Sequence, residues 1–409
     1  MEPITHFLTG ACIGRAGLNR KTAYATLVAV LAAEAADIDT LWGLAGPVEG
    51  LKHHRGITHT FIAVPVVAAA AVGMVWLFDY WRRRRRLAAS SDEQTPVEVR
   101  GLPPIRAKIK KQVLRLRCAP LRMTERMGHG GSRSIPEGQQ IHWGWLYLTA
   151  LFSALSHLLL DWTNNYGLRP FFPFNPRWYA GSLVFIGEPV LWALLSLALV
   201  MPWLLGLAAS EIGAKKKKFR GRGWAIFALT GMVLLWGWRW AEQGRARALA
   251  ENTQIASAPV KRMALEPYPV NPFHWHAILE TEEYYQTAEI NTLSGEIESD
   301  PRRDVLYKPA ATAATEAAKR TLLGQVYMDW GTWAVVRDVS QEPIPVPGME
   351  PPKLPRNRTW TTVEFYDLRF DYPFIGAGRS TGRKPLSGWV YIVDGRDEAG
   401  EALNGREQR

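Results

Sequence analysis

The chain has 409 residues, 47% of them apolar, and a formal net charge of +11. That length leaves room for a membrane part and a separate soluble domain. Two cysteines, Cys12 in an apolar stretch and Cys118 in a basic loop, do not make a disulfide framework, and the positive charge gathers in loops beside apolar runs, which points to cytoplasmic Lys/Arg rather than to nucleic-acid binding. The N-terminus lacks a basic n-region and a small-residue cleavage site, so no cleavable signal peptide is expected and the apolar segments themselves direct insertion.

The first apolar stretch is split. Ile4–Gly14 and Thr22–Ala33 are each too short to cross a membrane, and the basic turn Arg15–Lys21 separates them. They predict a helical hairpin whose second arm extends to Asp37 as a short span. Phe61–Phe78 is free of charge, and Trp143–Leu160 carries only His157. Pro189–Ser210 is apolar throughout, with Pro202 as an expected kink, and Gly223–Trp238 ends in tryptophans. Each of these four runs approaches the roughly 20 apolar residues that span a hydrocarbon core.

The basic loops set an orientation. Residues 81–141 hold 15 Lys/Arg against 5 Asp/Glu, beginning with the run Arg82–Arg86. Lys215–Lys218 follows the next-to-last span. Placing both clusters in the cytoplasm and alternating the spans brings Asp37, Asp39, His53, His54, His59, His157 and Asp161 to the outer face. His6 joins them if the Ile4–Gly14 arm descends from that face. The region from about residue 243 falls on the same side. The loop of residues 81–141 reads as a solvated cytoplasmic segment with some affinity for anionic headgroups. It lacks the aromatic interleaving that single-stranded nucleic-acid binders use.

Imidazoles with carboxylates are the ligand set of zinc, manganese and non-haem iron. Asp37 and Asp39 are alternate residues and cannot share one helix face, so a helix is expected to end there. Glu34 lies one turn before Asp37, as a further ligand, an acceptor or a general base. His54 and His59 bracket Arg55-Gly56-Ile57-Thr58. In that stretch Gly56 permits a tight turn, Arg55 is a candidate anion clamp, and Thr58 or Thr60 would cap the next helix. His53 reads as a bystander. His157 and Asp161 share a helix face, so they either chelate one ion or place Asp161 behind the imidazole. In the loop after them, Asn164, Asn165 and Tyr166 are candidate donors to a substrate. Phe171, Phe172, Phe174 and Trp178 fit an interfacial aromatic belt.

These residues resemble the YdjM-like family of membrane-bound metal-dependent hydrolases. The matching elements are Thr5-His6 with Gly10, Asp37-Ile38-Asp39, His54-Arg55-Gly56-Ile57-Thr58-His59-Thr60, and His157 to Asp161 followed by Tyr166-Gly167. Ala36 stands where the family has proline, and Thr60 where it has serine. The resemblance covers about residues 1–210 and implies a hydrolase without fixing its substrate.

Residues 243–409 change character. FHWHAILE, TWAVVRDV, TWTTVEFYDLRFDY and SGWVYIVD alternate as strands do, and Pro309–Leu323 reads as a helix. His274 and His276 share one strand face, and they read as surface or core residues rather than ligands. Gly395–Arg409 reads as a mobile tail.

The sequence therefore predicts an α-helical integral membrane bundle of about five spans, N-terminal hairpin included, over residues 1–242. A β-rich extracytoplasmic domain is expected over residues 243–409, in a bacterial inner membrane. The expected metal ligands are His6, Asp37, Asp39, His54, His59, His157 and Asp161, with Glu34 and Arg55 as catalytic groups. The expected cofactor is a divalent metal, zinc with manganese as alternative, in one to three ions. The substrate would be a membrane lipid or lipid-linked ester, most naturally a phosphoester, with no nucleic-acid partner and room for a protein partner on the β-rich domain. The competing reading is a non-catalytic metal-binding scaffold or transporter. Ionisable groups gathered at one end of the bundle argue against transport.

Overall fold

A computed structural model describes residues 2–92, 139–211, 221–339, 346, 349–355, 357–373 and 384–408. Most of the basic loop, with Cys118, and the Lys215–Lys218 run lie outside the described residues.

Helices α1 (Pro3–Arg15) and α2 (Ala25–Glu34) form the expected hairpin around a 3₁₀ turn at Leu18–Arg20. Small residues let the arms close in: a Cβ on Gly10 would sit 2.7 Å from the Ala29 carbonyl oxygen, and one on Gly14 would sit 2.5 Å from Thr26 Cα. A 3₁₀ segment (Ala35–Ala45) and α3 (Pro47–His53) follow. Next come α4 (Ala63–Asp92), α5 (Trp143–Thr163), α6 (Pro189–Glu211, with Pro202 inside it) and α7 (Arg222–Asn252). Among the described residues, three helical windows are long and apolar enough to cross a membrane: Ala63–Arg85, Trp143–Thr163 and Pro189–Ala208.

The bundle has two chemically distinct ends. At one, Gln139 and His142 bond to Asn19 and Thr22, and Tyr24 donates to Asp79, which also pairs with Arg82 and Arg83. At the other lie His6, Asp37, His59 and Asp161, and there Trp192 at the start of α6 donates to Thr5.

The β-rich part sits at this second end. Strands β1 (Arg262–Pro267), β2 (His274–Glu280), β3 (Tyr284–Asn291) and β4 (Glu296–Glu298) form one antiparallel sheet in that order, with β5 (Val305–Tyr307) also on β3. Helices α8 (Ala313–Ala318) and α9 (Leu322–Trp330) lead to β6 (Ala334–Asp338), β7 (Trp360–Asp367), β8 (Gly388–Val393), β9 (Asp397–Leu403) and β10 (Arg406–Glu407). These form a second antiparallel sheet ordered β10-β9-β8-β7-β6.

Two expectations are corrected. The single helix over Pro309–Leu323 is two helices, because Thr321 breaks the run and its hydroxyl caps α9 by accepting from Gly324 N–H at 3.1 Å. The tail is not loose: Asn404 and Gly405, both at positive φ, turn β9 into β10. Beyond that hairpin Gln408 accepts from Val48 N–H at 2.8 Å and donates to the Ala45 carbonyl at 3.1 Å.

The two parts are joined through the chain. Residue 242 falls inside α7, which runs on to Asn252 and packs Ala246 and Ala250 against Trp275 and Ile290 of the first sheet. Arg239 pairs with buried Glu188 at 3.0 Å and donates to the Tyr268 carbonyl at 2.9 Å. Arg369, just after β7, donates to the carbonyls of Asn165 and Tyr166 at the end of the bundle.

Glu266 of β1 is buried, and its Oε2 has no hydrogen-bond partner. Burial pushes its pKa up to about 7, against the pull of the Arg369 guanidinium. The folded state then holds a proton that the unfolded chain releases near pH 4.5. Stability from this group is therefore lost as pH rises from about 4.5 to about 7, by roughly 3 kcal/mol at most. The Glu266→Gln variant should melt higher than wild type at pH 8 and match it near pH 4.5. Equal differences at both pH values would show that Glu266 is solvated in the folded protein.

Candidate metal centre

Each segment of the second end contributes for a local reason. After Glu34 the chain tightens into the 3₁₀ segment Ala35–Ala45, and this separates the two aspartates. Asp37 faces the bundle interior, where its Oδ1 lies 3.3 Å from His59 Nε2. Asp39 faces the His54–Thr60 loop. Its Oδ2 accepts from Arg55 N–H at 2.8 Å, from the Thr58 hydroxyl at 3.0 Å and from His59 Nδ1 at 3.0 Å, and its Oδ1 lies 3.4 Å from His54 Nδ1. Burial works to raise the Asp39 pKa, but the hydrogen bonds from His54 and His59 hold it well below the usual carboxylate range.

Gly56 permits the turn that aims these imidazoles by leaving out a Cβ, and the left-handed residue of the turn is its neighbour. Arg55 takes the left-handed conformation (φ +53°), while Gly56 stays at φ −79°, and a Cβ there would meet the His53 carbonyl at 2.8 Å. Thr60 caps α4, accepting from Ala63 N–H at 3.1 Å. His54 packs edge-on to Tyr166 beside Asp39, and His53 stacks on Trp42 away from the cluster.

His157 and Asp161 project from one face of α5, both fully buried. His157 Nδ1–H donates to the Ala33 carbonyl at 2.6 Å, which turns Nε2 inward. Arg55 Nη2 pairs with Asp161 Oδ1 at 2.8 Å, and Nη1 donates to the Gly167 carbonyl at 2.6 Å and to Asn164 Oδ1 at 3.3 Å. The guanidinium lies 4.6 Å from the Tyr166 ring centroid. Arg55 is therefore engaged inside the protein and presents no open anion clamp. Asn164, Asn165 and Tyr166 are likewise buried: Asn164 Oδ1 accepts from Tyr166 and Gly167 N–H, and Asn165 donates to the Tyr372 hydroxyl. They shape the loop rather than face a substrate.

At the centre, Nε2 of His59 and Nε2 of His157 lie 3.0 Å apart. His157 spends its Nδ1–H on the Ala33 carbonyl, so its Nε2 presents a lone pair, and the short approach to His59 Nε2 requires a proton or a metal ion between the two nitrogens. Asp161 Oδ2 is 3.4 Å from each nitrogen, and Asp37 Oδ1 is 3.3 and 3.7 Å from them. Ligand atoms on a four-coordinate ion with bonds of about 2.05 Å are about 3.3 Å apart. The His6 ring stacks on His157 at 3.8 Å, and its two buried nitrogens lack hydrogen-bond partners, the nearest carboxylate oxygen being Asp161 Oδ1 at 3.4 Å. Two overlapping triads thus have ligand atoms mutually within 4.8 Å, His6–Asp37–His157 and His59–His157–Asp161. The site favours positive charge: burial draws the His59 pKa down, yet Asp37 and Asp39 hold it above its ordinary value. Glu34 sits beside Asp37, outside both triads, with Oε1 buried and unpartnered.

In the β-rich part, His274 and His276 both face Glu289, at 3.3 and 2.6 Å, and join neither triad. What sequence reading did not find is the set of groups that orient the cluster. The Ala33 carbonyl carries no side-chain signal, and Arg369 reaches the Asn165–Tyr166 loop from more than 200 residues away in the chain.

An apolar helical bundle with a buried His/Asp cluster at one end defines a membrane protein with the ligand set of a metal centre. The chain belongs to the YdjM inner membrane protein family, whose sequence pattern matches residues 1–246. No curated protein and no solved structure matches it.

Arg55→Ala would leave Asp161 buried without its counter-charge. The variant should lose about 3–5 kcal/mol of stability, seen as a large drop in melting temperature in detergent. An unchanged melting temperature would mean that another cation compensates Asp161.

Proposed function

We propose that the chain is an integral-membrane metal-dependent hydrolase acting on a lipid or lipid-linked ester, most naturally a phosphoester, with its site at the outer membrane–water interface and its β-rich domain outside the cytoplasm. The observation that carries this reading is the 3.0 Å approach of two imidazole nitrogens flanked by two carboxylates. A shared proton would satisfy only one nitrogen pair, whereas a divalent ion would use all four donors.

His59, His157, Asp37 and Asp161 would hold the ion, zinc or manganese. His157 offers a single nitrogen to the site, so the two triads cannot hold two independent ions. A second ion beside His6 would have to be bridged through the carboxylates. Asp39 and His54, expected as ligands, act here by fixing His59: Asp39 accepts its Nδ1–H and His54 buttresses the carboxylate. Arg55 neutralises Asp161 and holds it in place. Glu34, with a buried oxygen free to accept a proton, is the candidate general base. When bound, the ion would supply Lewis-acid activation of water and of the scissile ester.

A cavity of about 370 Å³ opens beside Asp39 and Thr58 and supports the lipid reading. Its other walls are Ile38, Leu41, Trp42, His53 and Ile57, and the four apolar side chains are exposed. An apolar entry next to a buried polar centre suits a substrate that arrives with its chains in the bilayer.

Elemental analysis of the detergent-purified protein should find at least one equivalent of zinc or manganese, absent from a His59→Ala, Asp161→Ala double variant. Asp39→Ala should keep the ligands but weaken metal affinity by roughly 10–100-fold. Phosphate release from phospholipid or lipid-linked phosphate esters should track metal content. Metal-free wild type, even after reconstitution with both ions, would overturn the hydrolase in favour of a scaffold.

A further inference from the structure

A second cavity, about 780 Å³, opens at the opposite end of the bundle from the His/Asp cluster. It lies where the α1 end, the Leu18–Arg20 turn, and the starts of α5 and α7 meet. Ile13, Trp145, Phe152 and Leu229 wall it, and Arg20, Lys21 and Arg222 stand on its rim. No carboxylate is among its lining residues. Trp145 and Phe152 are exposed, so the wall opens toward the bilayer. Arg222 is fixed in place by donating from Nε to the Ala16 carbonyl at 3.1 Å, and Lys21 Nζ lies 5.5 Å from the Trp145 ring centroid.

We propose that this groove binds one anionic phospholipid as a structural ligand. Its phosphate would sit among Arg20, Lys21 and Arg222, and its acyl chains would lie along Ile13, Phe152 and Leu229. An apolar gap open to hydrocarbon fills with lipid in any case, and the three rim cations select the headgroup. Each basic side chain near the surface favours an anionic lipid by roughly fivefold. Sixteen residues of α5 separate Trp145 from Asp161, about 24 Å along the helix. A lipid seated here is therefore out of reach of the metal centre, and the proposal stands whether or not that centre is hydrolytic.

The test is native mass spectrometry and lipid quantification on the full chain released from nanodiscs containing equal phosphatidylglycerol and phosphatidylcholine. Wild type should retain about one phosphatidylglycerol per chain, at least tenfold over phosphatidylcholine. Arg20→Gln, Lys21→Gln, Arg222→Gln together should abolish that preference while metal content stays at the wild-type level, and Lys21→Arg alone should preserve it. Equal retention of both lipids by wild type, or an undiminished preference in the triple variant, would overturn the proposal. Should the triple variant not fold, wild type in phosphatidylcholine nanodiscs is titrated with short-chain phosphatidylglycerol and with inorganic phosphate. A rise in melting temperature with the lipid alone supports the site, and an equal rise with phosphate, or none with either, overturns it.

Discussion

Asp161 is a carboxylate with no access to water, and burying such a charge is affordable only with a partner at close range. Arg55 is that partner, and much of the second end of the bundle exists to hold it there. The guanidinium reaches inward because its own backbone adopts a left-handed turn, which Asp39 stabilises by accepting the Arg55 N–H. Its remaining donors end on Gly167 and Asn164, and Asn164 in turn pins the backbone of Tyr166 and Gly167. Arg369 then braces the Asn165 and Tyr166 carbonyls from the β-rich side. One ion pair is thereby supported from both halves of the protein.

The same loop explains why the β-rich part is packed rather than tethered. Tyr166 joins Trp330, Phe365 and Phe370 in one core with Val48 and Leu51 of α3, the helix that follows the 3₁₀ segment bearing Asp37 and Asp39. The second sheet and the segments that orient the cluster thus share one packed core. The close approach of α1 and α2 at Gly10 and Gly14 brings His6 against the face of the His157 ring and the Ala33 carbonyl to its Nδ1.

Much of this was legible in the chain, because its chemistry is carried by side chains at fixed local spacing. The i, i+4 pair His157 and Asp161, the alternate aspartates and the imidazoles around Arg55-Gly56 all gather at one end. Strands β2, β6, β7 and β8 were visible through period-two alternation. What stayed hidden has physical causes. The acceptor for His157 is a backbone carbonyl, identical in every residue type. The left-handed residue is Arg55, although the neighbouring glycine is the usual carrier of such a turn. Strands β9 and β10 carry glutamates and alanines and little apolar alternation, and only the Asn404-Gly405 pair betrays the hairpin. That His54 turns to Asp39 rather than into the cluster depends on which side of a 3₁₀ segment Asp39 faces, and a D-x-D spacing leaves that open.

On the hydrolase reading proposed above, the arrangement would also constrain how a substrate arrives. His6, His59, His157 and Asp161 have no solvent exposure, and the aqueous side of their loops is packed beneath α9 and the second sheet. The exposure that remains near the cluster lies at Asp37, at His54 and along Ile38, Leu41, Trp42 and Ile57. A lipid substrate would already have its chains there, so only its headgroup would need to move inward. If the apolar border faces the bilayer, as the proposed function requires, the folded β-rich part packed on the neighbouring loops would leave lateral entry as the open route.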